Sequence, residues 1–318
     1  MAMQRVVFYA ILLPFSIVTE CIYFRIIVIV FKFKRKSFFF KIFFSQAFFD
    51  IFYIFFYFFT SLCDDVTEFT PVMLWVNTTI IVQVAYSYFF FCMIGQVAGI
   101  TIIALNRYLL VSRPMSSFTK LLEDFPRWAI STIHIISGAA FPLYIICFQT
   151  WNQYEWTDDR HLFLSRVTDP RDTDFNTIVA ACIATVGSLL CMLFYGLIAR
   201  VLIKSSSSRR RDPSPLLVGA VLSIAELGMA TYMTMTAVAS LTKNLPLVVG
   251  MRPWYPLFSF TLSMATPYML LLTSSEIRHN LISRRILPFR RSSPRQTTIM
   301  PRHILKHFKN IAFNCMNE

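Results

Sequence analysis

Residues 101–114 read TIIALNRYLLVSRP, and the reading of this stretch decides the rest. It closes the apolar run 83–110 on the triplet Asn106-Arg107-Tyr108, and Pro114 follows seven residues past the arginine. An arginine at the end of an apolar helix has two readings. It can anchor the helix end, because the exposed carbonyls there favour a nearby cation. Alternatively it is a switch whose contacts change in use. No acid stands beside it in the sequence, so the choice rests on what the remainder of the chain supplies.

The chain has 318 residues, of which 56% are hydrophobic and only 15% charged, with 33 phenylalanines. A water-soluble domain carries about a quarter charged residues, so this chain is not built to face water on every side. A hydrocarbon core about 30 Å thick takes roughly 20 apolar residues as a helix. Seven blocks qualify: about 7–31, 37–62, 83–110, 128–148, 176–203, 216–242 and 254–273. They predict an all-α integral membrane protein whose seven-helix domain covers 1–273, followed by a basic tail over 274–318. Helices rather than open strands follow because lipid offers backbone groups no partners. The first block is too long for a signal-peptide core and lacks a small-residue cleavage site, so it is read as an uncleaved span.

The net charge of +13 would suit nucleic acid if it were spread over a surface. It is confined to short loops instead, and nucleic acid is excluded as a partner. With the N-terminus outside, the cytosolic segments carry Lys32, Lys34, Arg35, Lys36, Arg113, Lys120, Arg127, Lys204, Arg209, Arg210 and Arg211, plus nine more from Arg278 to Lys309. The opposite face carries Arg5, Arg160, Arg166, Arg171, Lys243 and Arg252. Lys and Arg bias sets orientation, so twenty against six predicts an extracellular N-terminus and a cytoplasmic tail. Asn77-Thr78-Thr79 is the chain's one N-glycosylation sequon, and it falls in the first external loop. The second external loop, QTWNQYEWTDDRHLFLSRVTDPRDTDF (149–175), is the longest connection, acidic and aromatic.

Ionisable residues at membrane depth are costly and mark function by default. Asp50 lies mid-span in FFSQAFFDIFYIFF (43–56) and must face the bundle interior and find polar partners. Glu20 in the first span and Glu226 in the sixth are further intramembrane acids, each a candidate ligand contact or the partner of a nearby polar group. Arg25 is close enough to the cytosol to snorkel there. His134 is the one histidine at membrane depth, which reads as packing and leaves no histidine cluster for a zinc hydrolase. No phosphate-binding glycine loop or G-x-S-x-G elbow is present, so neither an enzyme nor a bound metal or cofactor is expected. The seven cysteines show no CxxC pair, and Cys63 with Cys147 is the one pair placed for an external disulfide.

Asn106-Arg107-Tyr108 and Pro114 resemble the Asp-Arg-Tyr motif and loop proline of rhodopsin-like G-protein-coupled receptors. Asp50 stands where such receptors keep a second-helix aspartate, and Thr266-Pro267-Tyr268 where they keep Asn-Pro-x-x-Tyr. The stretch TPYMLLLTSSEIR (266–278) is similar to nematode serpentine chemoreceptors. Within that superfamily the ALNRY segment and aromatic second helix most resemble the Srv class of the Srg group. Asn106 replaces the usual acid, the sixth helix has no Cys-Trp-x-Pro, and the second external loop has no cysteine.

The resemblance implies a chemosensory receptor that binds a small extracellular molecule and signals to a heterotrimeric G protein. It implies the plasma membrane of sensory neuron cilia, with homo- or heterodimers left open. Asn106, Arg107, Tyr108 and Pro114 then form the G-protein switch. The cytosolic end of the sixth span, LLVGAVL (216–222), has no acid to hold Arg107, so packing and neutral hydrogen bonds are expected to restrain it. Ligand liners expected from depth alone are Gln83, Tyr86, Tyr88, Tyr232 and Trp254. The basic cluster of the tail favours anionic membrane lipid. A seven-helix ligand-gated ion channel of the insect-receptor type is the alternative, and it would place the N-terminus in the cytosol.

Overall fold

The structure is a computed structural model. It describes residues 11–32, 38–65, 79–112, 116–149, 153–157, 162–166, 170–204, 214–244, 254–273 and 275–282, with Pro71, Trp75, Leu247 and Met251. Pro114, Asn77 and the tail beyond Ile282 lie outside the described residues, as does the side chain of Cys63.

Among the described residues seven long helices run in sequence order: α1 (Leu13–Lys32), α2 (Phe38–Asp65), α3 (Ile81–Ser112), α5 (Arg127–Phe148), α6 (Pro170–Lys204), α7 (Ser214–Leu241) and α8 (Tyr255–Thr273). A short α4 (Ser117–Asp124) precedes α5, and α9 (Ser275–Ile282) follows α8. The first six long helices are each apolar and long enough to cross a membrane. In α8 the apolar part is shorter, Leu257–Leu272. The connection between α5 and α6, the longest in the sequence reading, contains an antiparallel hairpin of β1 (Gln153–Thr157) and β2 (Leu162–Arg166). Its β1 touches α3 and its β2 touches α2.

These helices are apolar on their outer faces as well as inside. On α7 the inward residues Val218, Leu222, Ala225 and Met229 are buried, while Leu217, Ile224, Leu227 and Val238 are exposed. A helix that is hydrophobic all round is buried or faces lipid. Exposed apolar rows recur on α1, α2, α5 and α6, so the bundle is built for a bilayer.

The main core lies among α3, α6, α7 and α8, where Ile100, Cys191, Tyr195, Leu222, Met229 and Leu262 pack together. Helices α6 and α7 form the most extensive pair. Their approach depends on Gly219, since a Cβ there would sit 2.1 Å from the Tyr195 ring. A second core joins α1, α2, α8 and α9 through Tyr23, Ile26, Phe43, Leu270 and Ile277. Gly99 on α3 gives Gln46 and His134 room, because an added Cβ would lie 1.8 Å from Gln46 Oε1. His134 is buried and joins three helices: Nε2 donates to Gly95 O on α3 at 2.7 Å, and Nδ1 meets Ser45 Oγ on α2 at 2.7 Å.

The ends are tied by polar contacts. At the start of α6, Asp174 pairs at 2.6 Å with Nζ of Lys243, just past the end of α7, and accepts at 2.5 Å from Oγ of Ser240 in the last turn of α7. Lys243 takes φ 53°, the left-handed conformation that commonly ends a helix. The hydrogen bonds from Lys243 and Ser240 hold the Asp174 carboxyl below the usual carboxylate range. At the other end, Arg278 of α9 donates to Leu271 O and Leu272 O, capping α8. Lys41 of α2 donates to Glu123 O at 2.5 Å and Phe125 O at 2.7 Å, which fixes the turn between α4 and α5.

Candidate functional site

Asp50 is fully buried near the middle of α2. The aromatic residues around it in sequence cannot satisfy a carboxylate, so its partners are Gln46 one turn earlier on α2 and residues of other helices. Tyr23 Oη of α1 donates to Oδ2 in a short hydrogen bond. Gln46 Nε2 and Gln96 Nε2 donate to Oδ1 at 3.0 and 3.1 Å. Gln96 Nε2 also reaches Ser263 Oγ of α8 at 2.6 Å, and Tyr23 Oη reaches Ser263 O at 3.2 Å. One aspartate thus ties α1, α2, α3 and α8 together at mid-depth. The sequence singles out Asp50, whereas Tyr23, Gln96 and Ser263 carry no local signal and enter only through the packing.

Arg107 lies near the end of α3, with its guanidinium 4.4 Å above the Phe39 ring of α2. A cation over an aromatic face is held by the ring's quadrupole. Asn106 is buried, and its Nδ2 has no hydrogen-bond partner. Tyr108 turns the other way and stacks on Phe194 of α6, with centroids 6.0 Å apart. The triplet therefore divides into an arginine facing α2, a tyrosine facing α6 and an amide in the core. Arg107 is eleven residues along α3 from Gln96, about 16 Å at 1.5 Å per residue.

The Thr266-Pro267-Tyr268 element lies in the second half of α8. Tyr268 docks on α1, with its ring stacked on Phe15 at 5.7 Å and its hydroxyl 3.1 Å from Thr19 Oγ1. Thr266 is buried one turn from Ser263. Glu20 is half-buried on α1, one turn from Tyr23, and its carboxylate oxygens make no hydrogen bond. Glu226 is 1% exposed within the α3–α6–α7 core, and both its oxygens are likewise unpartnered. Its surroundings are Cys191, whose Sγ is 3.9 Å from Thr101 Oγ1, and the apolar residues of that core.

The residues selected by depth do not form one cluster. Gln83 donates to Ile145 O of α5 at 2.8 Å and serves to join helices. Tyr86 Oη accepts from Asn176 Nδ2 at 3.3 Å, and Asn176 in turn exchanges two hydrogen bonds with Gln149. Tyr88 packs on Phe56 of α2 at 4.4 Å. Tyr232 packs on Tyr255 at 5.5 Å, and Trp254 is half exposed. Cys147 is exposed near the end of α5, while the side chain of Cys63, with which a bridge was expected, lies outside the described residues. The Asp174–Lys243 clasp and the Gln149–Asn176 pair tie the end of the bundle where Cys147 stands.

Tyr255, which depth in the sequence does not single out, is where rings converge: Tyr53 of α2 at 6.3 Å, Phe89 of α3 at 6.5 Å and Tyr232 of α7 at 5.5 Å. Phe260 meets Tyr53 at 5.9 Å. The hydroxyls of Tyr53, Tyr88 and Ser259 at this aromatic centre are buried without a hydrogen-bond partner. Buried polar groups are normally paired, so such a group calls for a bound molecule or water. The cluster lies toward the starts of α3 and α8.

A comparison with curated proteins returns no match. The family described as "Serpentine type 7TM GPCR chemoreceptor Srv" matches residues 12–287, which take in all seven long helices, and the chain therefore belongs to that family of seven-helix membrane receptors.

Proposed function

We propose that this receptor binds a small, mostly apolar extracellular molecule and signals to a heterotrimeric G protein. In this reading the N-terminus is outside, the tail is cytosolic, and the basic end of the bundle meets the G protein. The observation that carries the ligand half is the aromatic cluster around Tyr255, with its unsatisfied Tyr53, Tyr88 and Ser259 hydroxyls. Apolar, ring-lined sites with a few placed polar groups suit small organic ligands. Ligand contacts at Tyr255 and Tyr232 would bias α7 and α8 against α2 and α3. The Asp50 network then relays a shift of α8 to α3, whose far end carries Arg107.

Binding shifts a two-state equilibrium only through differential affinity for the two states. Here the resting state is defined by Arg107 over Phe39 and Tyr108 on Phe194. Departure of either contact opens the basic end. The reading is tested by second-messenger responses of cells expressing the protein to a panel of small, mostly apolar metabolites. A response that Tyr53→Phe and Ser259→Ala weaken at unchanged surface level supports it. External accessibility of a tag on the tail overturns the orientation and favours the channel alternative.

A further inference from the structure

Glu226 of α7 is buried, and neither of its carboxyl oxygens has a hydrogen-bond partner. Cys191 of α6 lies beside the carboxyl, and its thiol reaches Thr101 Oγ1 of α3 at 3.9 Å. Tyr195, one turn further along α6, is buried with its hydroxyl unpartnered as well. Leu222, Ala225 and Met229 of α7 and Leu262 of α8 pack in the same core. The helices meet closely here. A Cβ on Gly219, seven residues before Glu226, would sit 2.1 Å from the Tyr195 ring. The carboxyl is therefore sealed inside the seam between α6 and α7.

No counter-charge reaches it. Glu226 is the one charged residue of α7, and α8 carries none. On α3, Arg107 stands six residues past Thr101, about 9 Å along the helix, and lies over Phe39 of α2. On α6, Arg200 is nine residues past Cys191 and exposed. The titratable groups that do face Glu226 are Cys191 and Tyr195, a thiol and a phenol that are neutral when buried. An anion taken out of water without a counter-charge or hydrogen bonds is far costlier than the neutral acid, and a carboxyl so placed takes up a proton instead.

We propose that Glu226 is a proton-binding site built into the α6–α7 seam, protonated while the seam is closed and ionised when it opens. Opening admits water: the carboxyl O–H bond breaks, water takes the proton, and the carboxylate keeps the electron pair. The hydrated anion then opposes reclosure, because closing the seam would strip its water. The closed form thus binds one proton more than the open form. Lowering the pH favours closure, and raising it favours opening. The proposal rests on helix packing alone and involves neither ligand nor G protein, so it stands or fails separately from the proposed signalling.

The test uses the full-length receptor in phosphatidylcholine vesicles, compared with Glu226→Gln, which keeps the shape of the neutral acid and cannot ionise. Should the amide leave that variant unfolded, Glu226→Met, apolar and of similar length, takes its place as the reference. The infrared difference spectrum, wild type minus variant, is expected to show a carboxylic-acid carbonyl band at about pH 7, where an ordinary glutamic acid is fully ionised. Opening of the seam is read at Cys191, buried beside Glu226, by its rate of reaction with a thiol reagent, followed by mass spectrometry of the peptide that carries it. The ratio of the wild-type rate to the variant rate is expected to rise between about pH 6 and pH 8, by at most about tenfold per unit for a single proton. Absence of the band overturns the proposal. So does a ratio that is constant or that falls as the pH is raised, or one that follows sodium concentration at constant pH, the mark of a metal cation in the seam.

Discussion

Arg107 rests over Phe39, and in the proposed mechanism this contact helps to hold the resting state. A cation–π contact of this partly buried kind is worth about 1 kcal/mol. Phe39→Leu keeps the apolar packing and removes the ring, so it is expected to raise basal G-protein activation about fivefold, measured at matched surface level. Asp50 is a different kind of residue, one that holds helices together. Replacement by Leu strands the Gln46 donor, while Tyr23 and Gln96 keep Ser263. A buried donor left unsatisfied costs about 1–3 kcal/mol. Asp50→Leu is expected to lower the melting temperature of the purified receptor clearly, and Asp50→Asn, which retains an acceptor, to lower it less.

At the scale of elements, the helices were legible in the sequence because a membrane-spanning block needs only length and apolarity. The blocks at 128–148 and 216–242 match α5 (Arg127–Phe148) and α7 (Ser214–Leu241) to within two residues. The hairpin Gln153–Arg166 was not legible, since its strands carry charged and aromatic residues in a loop otherwise rich in turn formers. The contacts that tie elements together were also hidden. Asp174 and Lys243 are 69 residues apart and meet only when α6 and α7 pair. That clasp has a pH signature. Because the folded-state carboxyl is held below its ordinary value, the clasp stabilises above about pH 4, where the unfolded carboxyl is ionised. The gain disappears as pH falls through the lowered folded value. Exposed pairs are worth at most about 1 kcal/mol. Asp174→Asn is therefore expected to lower the melting temperature slightly at neutral pH and to leave it unchanged under strongly acidic conditions, read by thermal unfolding in detergent.

At the scale of the whole molecule, membership of the Srv family covers residues 12–287 and all seven long helices. The candidate site was only half visible beforehand. Asp50 and Arg107 stood out because a charge in an apolar run is conspicuous in one dimension. Tyr255, Ser259 and Tyr53 did not, because an aromatic or a serine in such a run is ordinary until helices bring several to one place. Depth alone chose Gln83 and Tyr86, which the structure commits to helix joining. In the proposed function the basic end of the bundle is the signalling end, with Arg107 at its centre. The direct measurement is ligand-driven nucleotide exchange on a heterotrimeric G protein by wild-type receptor and by Arg107→Ala at equal surface level. Exchange reduced to background in Arg107→Ala, with ligand binding retained, is the predicted result; wild-type exchange from Arg107→Ala would contradict the account.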